Sequence, residues 1–139
     1  MTVVMIIGLL SAIAVGVLGI SRANSRDAKR VSDVQVIRAA LEHYWLRNAR
    51  FPSESDAVSL GTGSYAVLSS NGFEEAPGTG NVFLTLPTGP RANEFYQYES
   101  TVFNGYALEF TMERVSDVGP AGTYYAHADG TLDTDPTSK

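Results

Sequence analysis

The sequence predicts an α+β chain in which one long N-terminal helix, hydrophobic in its first half and amphipathic in its second, packs on a small antiparallel β-sheet head. Three observations carry this expectation. Residues 1–20 hold no charged side chain, residues 21–50 place apolar residues at helical spacing, and residues 51–139 are cut by ten glycines into short pieces. Charge follows the same divisions. Residues 21–50 carry seven basic residues against three acids, a net of +4, and residues 51–139 carry three against twelve, a net of −9; together they give the −5 of the whole chain. A chain so polarised has parts that belong in different environments.

The first segment, Met1 to Ile20, has only Thr2 and Ser11 as polar side chains. About 20 residues at ~1.5 Å each span the ~30 Å of a bilayer's hydrocarbon. Val4, Ile6, Ile7, Gly8, Leu9, Leu10, Ile13, Val17 and Leu18 are the candidate surface toward lipid or toward other helices, and glycines in such a segment permit close helix approach. A cleaved secretory signal fits less well, because the apolar run is longer than the usual signal core and no clear small-x-small cleavage site follows.

No proline or turn cluster interrupts the chain after this run, and the glycine that follows Gly19 is Gly61, so the helix continues into polar sequence. Val31, Val34, Ile37, Leu41 and Tyr44 recur at three-and-four spacing, widened by Ala40 and Trp45. Of these, Val34, Ile37, Leu41 and Tyr44 are the candidate stripe for packing against the head. Asp27, Lys29, Arg30, Asp33, Arg38, Glu42 and Arg47 read as its solvated sides. Phe51-Pro52 marks the stop, since a residue before proline is pushed out of the helical region. From about residue 2 to about residue 48 the rod measures ~70 Å. An all-apolar half outside a membrane must be covered, and other copies of the same chain are the simplest cover. A single-pass anchor carrying a small head fits the same periodicity.

In the head the clearest strand is Tyr106 to Glu113, where Tyr106, Leu108, Phe110 and Met112 alternate with Ala107, Glu109, Thr111 and Glu113. Phe95 to Ser100 is its expected partner. A five-residue loop, 101–105, pairs Tyr98 with Leu108, whereas a two-residue Asn104-Gly105 turn sets polar side chains opposite apolar ones; the longer loop is preferred. A third strand is expected at Gly122 to Ala128, ending at Asp129-Gly130, with weaker ones at Tyr65 to Ser69 and Val82 to Leu86. The stretch from Phe73 to Thr79 reads as exposed loop, and the tail after Asp133 as a frayed end.

Chemistry is sparse. The chain has no cysteine, so no thiolate metal site or cysteine nucleophile is available. His43 and His127 read as surface or boundary residues, and no nucleophile elbow, phosphate loop or framed carboxylate pair argues for an enzyme. Asp129, Asp133 and Asp135 form the one candidate metal loop, in which calcium could find oxygen ligands; otherwise no cofactor is expected. The acidic head disfavours nucleic acid as a partner.

The strings IIGLLSAIAVGVL and SRDAKRVSDVQVIRAALEHYWLRNARFP resemble the N-terminal region of type IV pilins and of the major pseudopilins of type II secretion systems. The likeness covers residues 6 to 52; beyond Pro52 it is one of pattern only. It implies a structural subunit whose residues 1–20 form the transmembrane and filament-core half of the helix, residues 21–50 its amphipathic half, and residues 51–139 the β-rich globular head. Such subunits wait in the bacterial inner membrane and are assembled by pilus or secretion machinery into a helical homo-oligomer, a cell-surface or periplasm-spanning filament used in adhesion or secretion. The resemblance also implies a basic leader, a cleavage glycine and an early glutamate. None of these stands in the sequence, which reads as N-terminally truncated or started at an internal methionine. Arg22, Arg26, Lys29 and Arg30, just after the apolar run, would by themselves hold the head in the cytoplasm; a basic leader supplies the counterweight. Major pseudopilins bind calcium in a C-terminal loop that Asp129, Asp133 and Asp135 faintly resemble.

Overall fold

A computed structural model describes the backbone of residues 2–139 and the side chains of all these except 13–16. One helix, α1 (Thr2–Asn48), runs without interruption through 47 residues. It stops where Ala49 turns into the left-handed region, φ 53°. There the Asn48 side-chain amide donates to the carbonyls of Tyr44 (3.2 Å) and Ser70 (3.3 Å), tying the helix end to the head. Pro52, three residues later, prevents the helix from resuming.

The rest is antiparallel β-structure: β1 (Glu54–Ser59), β2 (Val67–Ser69), β3 (Gly72–Glu74), β4 (Val82–Thr85), β5 (Gln97–Ser100), β6 (Ala107–Met112), β7 (Gly122–His127) and β8 (Leu132–Asp133). They form two sheets, one ordered β1-β5-β6-β7-β8 and one ordered β3-β2-β4. Tyr98 stands opposite Leu108, the register of the longer β5–β6 loop. Val34, Ile37, Leu41 and Tyr44 are buried in one core with Tyr98, Leu108, Phe110 and Leu68, so α1 lies against the apolar faces of the sheets.

Three readings are corrected, and one strand is added. The single expected sheet is two, because β2 pairs with β3 and β4 rather than joining the larger ladder. Phe73, placed in an exposed loop, lies in β3 and is held between Tyr65 (ring centroids 5.6 Å) and Tyr98 (5.1 Å). A strand not among those expected, Glu54–Ser59, pairs with β5 at the edge of the larger sheet, with largely exposed side chains. The tail after Asp133 folds back, and its last carbonyl, that of Lys139, accepts from the backbone N–H groups of Tyr106 and Ala128, both at 3.2 Å.

A row of rings joins the three layers. Trp45 meets Phe51 at 4.9 Å, Phe51 meets Tyr106 at 4.9 Å, Tyr106 meets Tyr98 at 5.8 Å, and Tyr98 meets Phe73. The row starts on the helix end, crosses the larger sheet and finishes on the smaller one. Phe73→Ala should therefore cost about 2–3 kcal/mol in urea denaturation of the full chain in mild detergent, where a loop residue would cost nearly nothing. Ala49→Gly should stabilise by about 0.5–1 kcal/mol in the same assay, because glycine removes the left-handed strain.

Candidate functional site

Two features of α1 stand out, its uncovered apolar half and the charged joint where it enters the head. Val4, Ile6, Ile7, Leu9, Leu10, Val17 and Leu18 are each more than half exposed, and Gly8 has open space beside it. Ile13 lies within the stretch whose side chains are outside the described residues. None of the most apolar window of the helix is covered by the rest of the chain, and α1 is long and apolar enough to cross a membrane. In water such a surface is unfavourable at about 25 cal/mol per Å², so lipid or another apolar surface must complete it.

At the joint the stripe changes character. Positions 27, 30, 34, 37, 41 and 44 continue one three-and-four spacing, and the two nearest the apolar half are Asp27 and Arg30. Both are buried, Arg30 to 2% exposure, which corrects the reading of these charges as solvated. The Arg30 guanidinium donates to Asp27 (2.6 Å), to both oxygens of Glu94 (2.5 and 2.9 Å) and to Glu113 (2.8 Å). Arg26 forks onto Glu113 with bonds of 2.8 and 2.6 Å, and Arg91 reaches the same carboxylate at 2.7 Å. Asp27 in turn accepts from the backbone N–H groups of Glu113 (2.9 Å) and Arg114 (3.0 Å) at the end of β6. Three arginines thus meet three carboxylates, and the cluster is neutral. Next to it Lys29 holds Asp33 at 2.5 Å, and Asp33 accepts from the Tyr96 hydroxyl at 2.8 Å.

Buried ion pairs are costly to desolvate, so the cluster is retained only because nearly every donor finds an acceptor. The bond from Arg26, aided by Arg30 and opposed by burial, holds the Glu113 carboxyl at about 2. Glu94 is lowered too, chiefly by its bonds from Arg30. Of the basic group after the apolar run, Arg26, Lys29 and Arg30 are thus engaged with carboxylates of this chain and do not form an open cationic face.

The candidate metal loop has a different centre. Lys139 Nζ lies 2.7 Å from Asp133 and 2.8 Å from Asp135, while Asp129 accepts from the backbone and hydroxyl of Thr131. Asp133 is held at about 2, first by Lys139. Among the described residues no group of three or more metal-ligating side chains gathers. His127, read as a surface or boundary residue, is fully buried, with Nδ1 3.2 Å from the Tyr106 carbonyl and Nε2 3.0 Å from Asp133. His43 is exposed and stacks beside Phe83, ring centroids 6.4 Å apart.

A charged residue by itself implies solvent, so composition and periodicity do not reveal the joint. Its signal in the sequence is the phase of Asp27 and Arg30 with the buried stripe. Compared with protein-family models, with curated proteins and with solved structures, the chain matches none.

Two outcomes follow for the joint. Arg30→Met takes the buried cation from Asp27 and Glu94 and one of three arginines from Glu113, and should cost about 3–5 kcal/mol, whereas Lys29→Met at the exposed pair should cost under ~1 kcal/mol, both read from denaturant melts. Glu113 is held below the ~4.3 of a free glutamate. Its pairs therefore contribute stability above about pH 4.3 that disappears as the pH falls toward 2. Arg26→Met should move that acid transition upward, as followed by circular dichroism against pH.

Proposed function

We propose that the chain is a structural subunit of a type IV pilin-like or pseudopilus-like filament. In this reading it is held in the bacterial inner membrane by its apolar half-helix and assembled by bundling that half with sister copies. One observation carries the reading: a single unbroken helix whose first half is apolar all round and, among the described residues, is left uncovered by its own head. A soluble enzyme has no use for such a rod, since the exposed surface would drive aggregation. In a bundle, the same residues are buried by their counterparts on neighbouring copies, and the heads, which carry most of the acidic residues, remain outside. The likeness of residues 6 to 52 to pilins and major pseudopilins supports the same assignment.

The joint has a natural role in this setting. A filament transmits force from head to rod, and six charged groups locked between α1 and the ends of β5–β6 resist the peeling of one from the other. The head does not need to open for assembly, because the apolar half is already uncovered.

Dilution of purified full-length chain out of detergent should yield elongated particles that pellet on ultracentrifugation. Leu10→Arg should abolish pelleting while leaving the head's circular dichroism and melting unchanged. Monomers that enter lipid vesicles singly, with no self-association at any protein-to-lipid ratio, would support instead a single-pass anchor whose acidic head binds a partner.

A further inference from the structure

The head carries two exposed apolar features at opposite ends. Where α1 enters the head, an open groove of about 490 Å³ runs between the helix and the β6–β7 loop, walled by Ala28, Val31, Met112, Val115 and Val118. Val115 is 79% exposed. Where α1 stops, the β5–β6 loop projects Val102 and Phe103, the latter 71% exposed and beside Arg50. Between residues 28 and 48 the helix rises about 30 Å, so the groove and the projecting ring are well separated along the rod.

The groove is built rather than incidental. Ser116 and Gly119 exchange backbone hydrogen bonds of 2.8 and 3.0 Å, closing the loop into a tight turn. Gly119 has φ 147°, and any side chain there would strike the Tyr124 hydroxyl, which donates to Pro120 at 2.8 Å. The turn therefore keeps Val118 against the core and Val115 on the groove wall.

The occupant is constrained by direction. Copies whose apolar halves share one membrane or one bundle must run parallel, so a two-fold contact perpendicular to the rods is excluded. Unlike patches, one convex and one concave, then meet between copies displaced along the axis, and a contact of this heterologous kind propagates instead of closing. Charge agrees. Arg50 stands beside the projecting ring and Asp117 on the rim of the groove, where Arg114 also stands; none of the three is in an ion pair among the described residues, so Asp117 is the acid open to Arg50 and Arg114 restricts the approach to its side.

We propose that Phe103 of one copy seats in the groove walled by Val31, Met112 and Val115 of the next, with Arg50 against Asp117. This rests on the reading of the chain as a filament subunit, and it names which ends of the heads touch. Such a contact gives an axial stagger of about 30 Å between the copies it joins.

The chain has no cysteine, so introduced thiols report cleanly. Full-length Phe103→Cys/Val115→Cys, assembled out of detergent and treated with a short bismaleimide, should give a ladder of dimers, trimers and higher species. Each single cysteine variant should stay monomeric on the same gel. Asp117→Arg placed on the doubly substituted chain should cut ladder yield severalfold, and adding Arg50→Asp should restore it. Particles that pellet without a ladder overturn the contact and leave the filament reading standing. Chains that do not pellet overturn both. Efficient dimers from either single variant, or capture of a different protein by Val115→Cys in the membranes of expressing cells, also overturn it.

Discussion

Arg30 stands where the amphipathic half of the helix enters the head. Its guanidinium is buried, and in a low-dielectric setting an unpaired charge there would be prohibitive. Asp27, Glu94 and Glu113 must therefore stand around it, and each brings a different part of the chain. Asp27 fixes the helix phase and also holds the backbone end of β6. Glu94 ties down the segment before β5, and Glu113 brings Arg26 and Arg91 into the same cluster. The axial position and rotation of the helix on the sheet are both set by this demand. An apolar stripe alone could slide by a turn at modest cost, whereas a buried guanidinium has one geometry that satisfies it.

From that joint the two halves of the molecule follow opposite rules. Toward the C-terminus the stripe of Val34, Ile37, Leu41 and Tyr44 is closed by the sheets, and the aromatic row extends the closure into the smaller sheet. Toward the N-terminus the helix has no partner among the described residues of its own chain. The same backbone hydrogen bonds run through both halves, so the rod is stiff across the boundary and carries any load placed on the head. Stability of the head and availability of the rod are thus independent, as the proposed filament subunit would require.

The acidic C-terminal segment is drawn together by a cation of the chain itself. Lys139 lies between Asp133 and Asp135, His127 lies under Asp133, and the Lys139 carbonyl accepts from Tyr106 and Ala128. These contacts convert what composition describes as a charged tail into a flap closed over the end of β6 and β7.

Much of this was legible in the residues. The helix from 2 to 48, its division into apolar and amphipathic halves, the Pro52 stop and the Tyr98–Leu108 register all follow from local rules, namely period, punctuation and alternation. These depend on a residue's near neighbours, which a sequence displays directly. The edge strand Glu54–Ser59 on β5, the packing of Phe73 on Tyr98, the bond of His127 to the Tyr106 carbonyl, and the Glu94 and Glu113 carboxylates on Arg30 depend on partners 21 to 83 positions away. Asp27 and Arg30 stand in phase with the core stripe, yet burying a charge is acceptable only when distant acids and amides are in place to satisfy it. Only the tertiary structure could decide that, because the cost of desolvating an ion is set by what surrounds it and not by the residue itself.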